Sequence, residues 1–218
     1  MQIDKYINEG RPRLLLFFCG WSASPLLFHR LEPEDDQDVW IVYDYRTLDF
    51  PADLTAYKSI TLIAWSLGVW VAEQLLCNRK EQLFEEKIAV NGTGCPIDDL
   101  EGIPEVIFQG TIENLNADGL ARFNRRMCGS KAVLQQYNLV EPRLQEDVAE
   151  ELKCLYKSVI QSEPVNFLWD AAWVGLSDRI FPVSNQLTHW KERGVKIHEC
   201  ETSHYSFYLW KRWKELEV

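Results

Sequence analysis

No run of apolar residues in this sequence is long enough to cross a bilayer, and the opening stretch, Met1 to Gly10, mixes charges where a signal peptide would carry an apolar core. The expectation is a soluble, cytoplasmic chain with no membrane partner. Cysteine pairing motifs are missing too. Cys19, Cys77, Cys95, Cys128, Cys154 and Cys200 are scattered, with no CxxC and no His-rich cluster. Without export they read as reduced packing thiols, and a structural zinc site is not expected. Cys19, beside Gly20, has no partner order that would make it a nucleophile. Basic excess is the third absence. The formal net charge is −10, which argues against a nucleic-acid partner, since a phosphate-binding surface needs a concentrated basic face. Internal repeats and low-complexity segments are also lacking.

What is present fits one α/β domain: 218 residues, 46% of them hydrophobic, suffice for a substantial core. Apolar, β-branched runs at Leu14 to Phe18, Val39 to Tyr43 and Ile60 to Ala64 predict strands, and Leu67 to Cys77 predicts a helix with almost no polar face. A strand at Lys87 to Val90 ends in the turn-rich Asn91, Gly92, Thr93 and Gly94. From about 111 to 164 polar and charged residues at helical spacing predict a helical cap insertion. Strands at Ala171 to Gly175 and Val195 to Cys200 bracket a helix with Pro182 at its first position and Gly194 just past its end. A terminal helix carrying Trp210 and Trp213 is expected to close the chain. Near-continuous apolar strands separated by helices imply a mostly parallel central sheet with helices on both faces.

Ala64, Trp65, Ser66, Leu67 and Gly68 lie where a predicted strand turns into a predicted helix. A serine at such a turn projects its hydroxyl off the sheet edge, and the helix N-terminus aims backbone N–H groups at developing negative charge. The usual pattern of this nucleophile elbow has glycine where Ala64 stands, a small residue for a small residue. The competing reading is a serine that merely caps the helix.

Two further residues bear on that choice. Asp178 and His204 each follow a predicted strand, so Ser66, Asp178 and His204 fall in the order Ser, Asp, His at the carboxyl edge of one sheet, the arrangement of α/β-hydrolases. In acyl transfer His204 would take the Ser66 proton and Asp178 would hold the imidazole tautomer. Asp44 precedes the serine and Asp170 falls at a strand start, while His29, His189 and His198 sit where structural roles are expected. Backbone N–H groups of Trp21, after Gly20, and Leu67 are candidates for an oxyanion hole.

The run Phe18, Cys19, Gly20, Trp21, the elbow with Val69 and Trp70, the segment Ala89 to Pro96, the stretch Phe123 to Gly129, the run Asp178 to Pro182, and His204 with Tyr205 and Phe207 together resemble the BioG family over nearly the whole chain. The resemblance implies a pimeloyl-[acyl-carrier protein] methyl ester esterase of biotin synthesis that needs no cofactor, with Ser66, Asp178 and His204 at the positions of the family's triad. A carrier-protein partner is acidic, as this chain is, so association requires a local basic patch. Arg122, Arg125, Arg126, Lys131 and Arg143 are the candidates, against a plain solvated helix face. Trp21, Trp65 and Phe123 are candidate walls for an acyl chain. Two rivals stand beside this reading: a thioesterase or general short-chain carboxylesterase with the same triad, and a non-catalytic acyl-binding module.

Overall fold

Strand β4 (Ser59–Trp65), apolar along its length, lies near the centre of one seven-stranded sheet ordered β1-β3-β2-β4-β5-β6-β7. The others are β1 (Gln2–Ile7), β2 (Arg13–Phe18), β3 (Gln37–Tyr43), β5 (Phe84–Val90), β6 (Ala171–Gly175) and β7 (Lys196–Cys200). The computed structural model describes residues 1–79 and 83–218. All neighbours pair in parallel except β1, which runs antiparallel to β3. Six α-helices are described: α1 (Leu67–Leu76), α2 (Glu105–Glu113), α3 (Ala117–Cys128), α4 (Lys131–Tyr137), α5 (Gln145–Gln161) and α6 (Val183–Glu192).

Strand register sorts the side chains onto two faces. Phe17 sits opposite Ile63 on β4, Trp65 lies two residues on, and Trp65, Val90 and Trp173 are successive cross-strand partners. These residues therefore share a face. It is covered by 3₁₀ turns at Pro25–Phe28, Phe207–Leu209 and Trp213–Leu216, whose Phe28, Phe207 and Trp213 rings pack on Phe17 at 4.6, 5.3 and 5.0 Å between centroids. The other face carries α1 and α6, joined through Trp169, which bonds Glu73 of α1 and meets the Trp190 ring of α6. Helices thus cover both faces, but of different kinds.

The expected terminal helix around Trp210 and Trp213 is replaced by the last two of these 3₁₀ turns. Phe207, Trp210, Trp213 and Leu216 are all buried, and they recur every third residue, the period of a 3₁₀ helix rather than an α-helix. Strand β1 was not anticipated, because its residues are all half-buried or exposed and include charges; an edge strand is held by its backbone ladder and needs no apolar run. The helical segment expected at 111–164 begins earlier, at Glu105, and ends with α5 at Gln161. Pro182 caps α6 instead of opening it, while Gly194 stands just past its end at φ +64°, as its freedom to adopt the left-handed region predicts.

Candidate active site

Ser66 joins β4 to α1 at φ 59°, ψ −130°, a strained backbone conformation that costs about 1–3 kcal/mol. Two glycines make the turn possible. A side chain at Gly68 would collide with the backbone of Phe18 and Cys19, and one at Gly92 would collide with the backbone of Ser66 itself. The Ser66 side chain makes no capping bond to α1. Its Oγ lies instead 2.9 Å from His204 Nε2, and His204 Nδ1 lies 2.8 Å from Asp178 Oδ2. Because the carboxylate only accepts, the proton belongs on Nδ1 and the Nε2 lone pair faces the serine. All three side chains are buried.

Each member is fixed by neighbours the sequence does not advertise. Asp178 Oδ1 accepts the backbone N–H groups of Ile180 (2.7 Å) and Phe181 (3.1 Å), and Gln186 of α6 donates to Oδ2 at 3.0 Å. The His204 carbonyl accepts from Asn91 Nδ2 (2.9 Å) and from the Trp65 indole (3.0 Å), whose ring packs on the imidazole. Asn91 also accepts from the Gly175 N–H at 2.7 Å, tying the ends of β5 and β6 to the histidine loop. Asn91 was legible only as part of a turn-rich cluster; Gln186 carried no signal in its spacing.

A chamber of about 30 Å³ abuts the serine, walled by Trp21, Trp65, Phe108, Phe123 and Ile180 among others. That is room for about two water molecules, enough for little more than a reacting group. Trp21 is anchored by its indole N–H to the Val148 carbonyl of α5 (2.8 Å) and meets the Phe123 ring edge-on at 4.8 Å. Trp21, Trp65 and Phe123 therefore all reach the chamber, and Trp65 also serves as a support for His204. Leu67 lines it as well, at the N-terminus of α1. Outside lies a groove of about 700 Å³ between α2 and α3.

Helix α3 turns Phe123 and Met127 inward and Arg122, Arg125 and Arg126 outward, and the three arginines line the groove together with Arg179. Its C-terminal carbonyls at Met127 and Cys128 accept from the Tyr205 N–H (3.0 Å) and the Ser203 hydroxyl (2.8 Å), on either side of His204. Lys131 is exposed at the start of α4, away from the groove lining. Arg143 does not belong to this surface. It is 9% exposed and spent on Glu151 (2.6 Å) and Asp44 (3.3 Å), because a buried glutamate demands a cation.

The rival acids and histidines are committed elsewhere. Asp44 pairs with Arg46 and Arg143; burial works against its charge, but those guanidiniums hold its carboxyl below the usual range. Asp170 accepts the Lys87 N–H, His29 bonds Asp4 and stacks on Tyr6, and His198 stacks on Trp173. His189 accepts the Gly94 N–H on Nε2 and faces Glu101 through Nδ1 at 2.7 Å; burial and Arg193 lower it to about 4, so it stays neutral. With Cys95 and Glu101 it forms the one grouping of metal-ligating side chains found among the described residues. Both imidazole nitrogens are taken and Arg193 neutralises Glu101 at 2.6 Å, so the group reads as a hydrogen-bonded knot. All six cysteines are free thiols, and no helix among the described residues is long and apolar enough to cross a membrane.

The model of the family described as pimeloyl-ACP methyl esterase BioG matches residues 1–216. The chain belongs to the BioG family. Its activity is hydrolysis of the methyl ester of pimeloyl-ACP, a step of biotin synthesis, which makes it a carboxylic ester hydrolase. The crystal structure of BioG from Haemophilus influenzae superposes with a TM-score of 0.95 at 37% identity, covering 100% of both chains. An esterase from Exiguobacterium antarcticum, 15% identical, matches with a TM-score of 0.67 over 94% of this chain and 88% of its own, a likeness of fold that places the BioG architecture among the α/β-hydrolases. A malonyl-[acyl-carrier protein] O-methyltransferase of Bacteroides fragilis is 42% identical over 198 residues, 89% of this chain; the chain spans 40% of that protein's length.

Proposed function

We propose that BioG chemistry runs in this chain as serine catalysis, with Ser66 as nucleophile, His204 as general base and acid, and Asp178 as the group that orients the imidazole. The unbroken hydrogen-bonded line from Ser66 Oγ through His204 to Asp178 Oδ2 is the observation that carries this reading. Ser66 Oγ attacks the ester carbonyl carbon as its proton passes to His204 Nε2. The tetrahedral intermediate's oxyanion is received by the backbone N–H groups of Trp21 and Leu67, neither of which is used in a hydrogen bond of the fold among the described residues. Collapse breaks the bond to the methoxy oxygen, which leaves as methanol with the His204 proton. Water then attacks the acyl-serine, His204 accepts its proton, and Ser66 recovers its own as the acid is released.

Residues 1–218 are read as one domain in which α2 to α5 form a cap over the serine. The carrier protein is read as docking on this cap, where Arg122 and Arg125 are exposed and make no ion pair among the described residues. Lys131 adds positive charge nearby. Free thiols suit a reducing cytoplasm.

The test is release of methanol from methyl-pimeloyl carrier protein by wild type and Ser66→Ala. The variant is expected to lose activity by about four orders of magnitude or more while keeping its melting temperature. Undiminished methanol release by Ser66→Ala overturns the serine reading. Release of free carrier in place of methanol favours the thioesterase, and absence of fluorophosphonate labelling favours an acyl-binding module.

A further inference from the structure

The donors that meet Asp178 are of two kinds. Oδ1 takes the backbone N–H groups of Ile180 and Phe181, which belong to its own turn. Oδ2, the oxygen that faces His204 Nδ1, takes a further donor from a different element, Gln186 Nε2 of α6 at 3.0 Å. The second N–H of the same amide goes to the Phe181 carbonyl, also at 3.0 Å, and the Phe181 ring lies nearly parallel to the His204 imidazole, with 9° between planes and 6.0 Å between centroids. One side chain of α6 thus grips both the carboxylate and the residue stacked on the histidine. Gln186 is fully buried, and its Oε1 has no hydrogen-bond partner among the described residues. Reversing the amide would set Oε1 against two acceptors, Asp178 Oδ2 and the Phe181 carbonyl, so the orientation is fixed. An unpaired buried amide oxygen costs stability that an apolar side chain of similar length would not lose. Packing alone would be served as well by methionine.

We infer that Gln186 is a positioning residue for the hydrolysis, a role that rests on the serine reading: it holds Asp178 Oδ2 in line with His204 Nδ1 while the imidazole takes up the Ser66 proton. The imidazolium formed in that step is buried, and its stabilisation depends on the angle at which Oδ2 meets Nδ1. The backbone donors make Oδ1 a pivot. Among the described residues Gln186 is the contact outside the triad that keeps Oδ2 from swinging about it. Its side chain does not line the chamber, so it acts through Asp178 and not on the substrate. Other charged groups nearby are engaged elsewhere. His189, one turn further along α6, is bonded to Gly94 and Glu101, and Arg179, next to Asp178 in sequence, lines the chamber and the groove.

Methanol release from methyl-pimeloyl carrier protein, measured from about pH 6 to about pH 8.5 for wild type, Gln186→Met and Gln186→Glu, tests this role. Gln186→Met fills the same space without a donor. It is expected to lower kcat about 10- to 100-fold, with KM within about twofold and a melting temperature within about 4 °C of wild type. Gln186→Glu sets a carboxyl beside Asp178. Two carboxylates at hydrogen-bond distance repel strongly, so the new group stays protonated at the acidic end and donates to Oδ2 as the amide did. Its kcat relative to wild type at the same pH should be highest there and fall as the proton is lost, with the melting temperature followed at each pH so that unfolding is not counted as lost catalysis. A residue that only packs produces neither the split between kcat and KM nor the pH-dependent rescue. Wild-type kcat in Gln186→Met overturns the role of Gln186, as does a kcat ratio for Gln186→Glu that does not change with pH; the second comparison decides if Gln186→Met fails to fold. Inactive Ser66→Ala beside unaffected Gln186 variants removes this role alone, whereas active Ser66→Ala removes the serine reading beneath it.

Discussion

Arginine does opposite work beside helices α3 and α5. Beside α5 the arginines are matched: Glu151, fully buried, holds Arg143 at 2.6 Å, and Arg46 reaches Asp44, Asp147 and Glu150 at 2.6, 2.7 and 3.3 Å. The same Glu151 accepts the Tyr45 N–H at 2.9 Å, and Tyr45 donates onward to the Cys19 carbonyl at 2.8 Å, close to the Trp21 loop. At α3 Arg122, Arg125 and Arg126 line the groove and make no ion pair among the described residues. One side spends its cations on ion pairs with buried or half-buried acids, and the other leaves them unpaired among the described residues. Residue type says nothing of this difference; only the presence or absence of an opposing acid does.

The largest effect should come from breaking the matched side. Arg143→Met leaves Glu151 as an unpaired buried charge and is expected to cost about 3–5 kcal/mol of stability in urea unfolding. A cost under about 1 kcal/mol would erase the contrast. Glu73 sharpens it from another direction, as a buried acid on α1 with no ion pair among the described residues. Burial pushes its carboxyl up to about 7 from an ordinary 4.5, while the Trp169 indole at 2.7 Å and the more distant Arg193 pull it the other way. The folded form therefore holds a proton that the unfolded chain releases. The resulting stability is whole below about pH 4.5 and is lost as pH rises through 7. Glu73→Gln keeps the acceptor for Trp169 and should gain on the order of 2–3 kcal/mol over wild type at pH 8 relative to pH 4. A gain independent of pH would mean that Glu73 does not titrate there.

The smallest effect belongs to the open side. Arg122→Glu with Arg125→Glu should change stability by less than about 0.5 kcal/mol. It should raise KM for carrier-bound ester about tenfold relative to a small soluble ester, with the difference shrinking as salt is added. Equal effects on both substrates would make this an ordinary solvated helix face.

Much of the architecture was legible in advance because it depends on local order. The apolar runs within β2 to β6 mark strands wherever they occur, and the serine, aspartate and histidine that follow β4, β6 and β7 share a rim. The errors came where local order misleads. Strand β1 is charged because an edge needs only a backbone ladder, and the terminal aromatics recur every third residue, which a helical reading overlooks. Among the site residues, Arg143 looked like its neighbours until Glu151 and Asp44 closed around it, and Arg179 looked like an ordinary residue after an aspartate until folding placed it on the groove that Arg126 also lines.

From its residues alone the chain could be read as a parallel sheet with an ordered Ser, Asp, His set at one edge, since side-chain alternation and strand-to-helix turns are settled within a few neighbours. Which arginines meet an acid, which polar groups bond Asp178 and His204, and how small the chamber is were resolved by elements far apart in sequence packing together. Asn91 meeting His204 and Glu151 meeting Arg143 are such events. The worth of a charge or an amide is set by what lies opposite it when water is excluded, and folding alone supplies that partner.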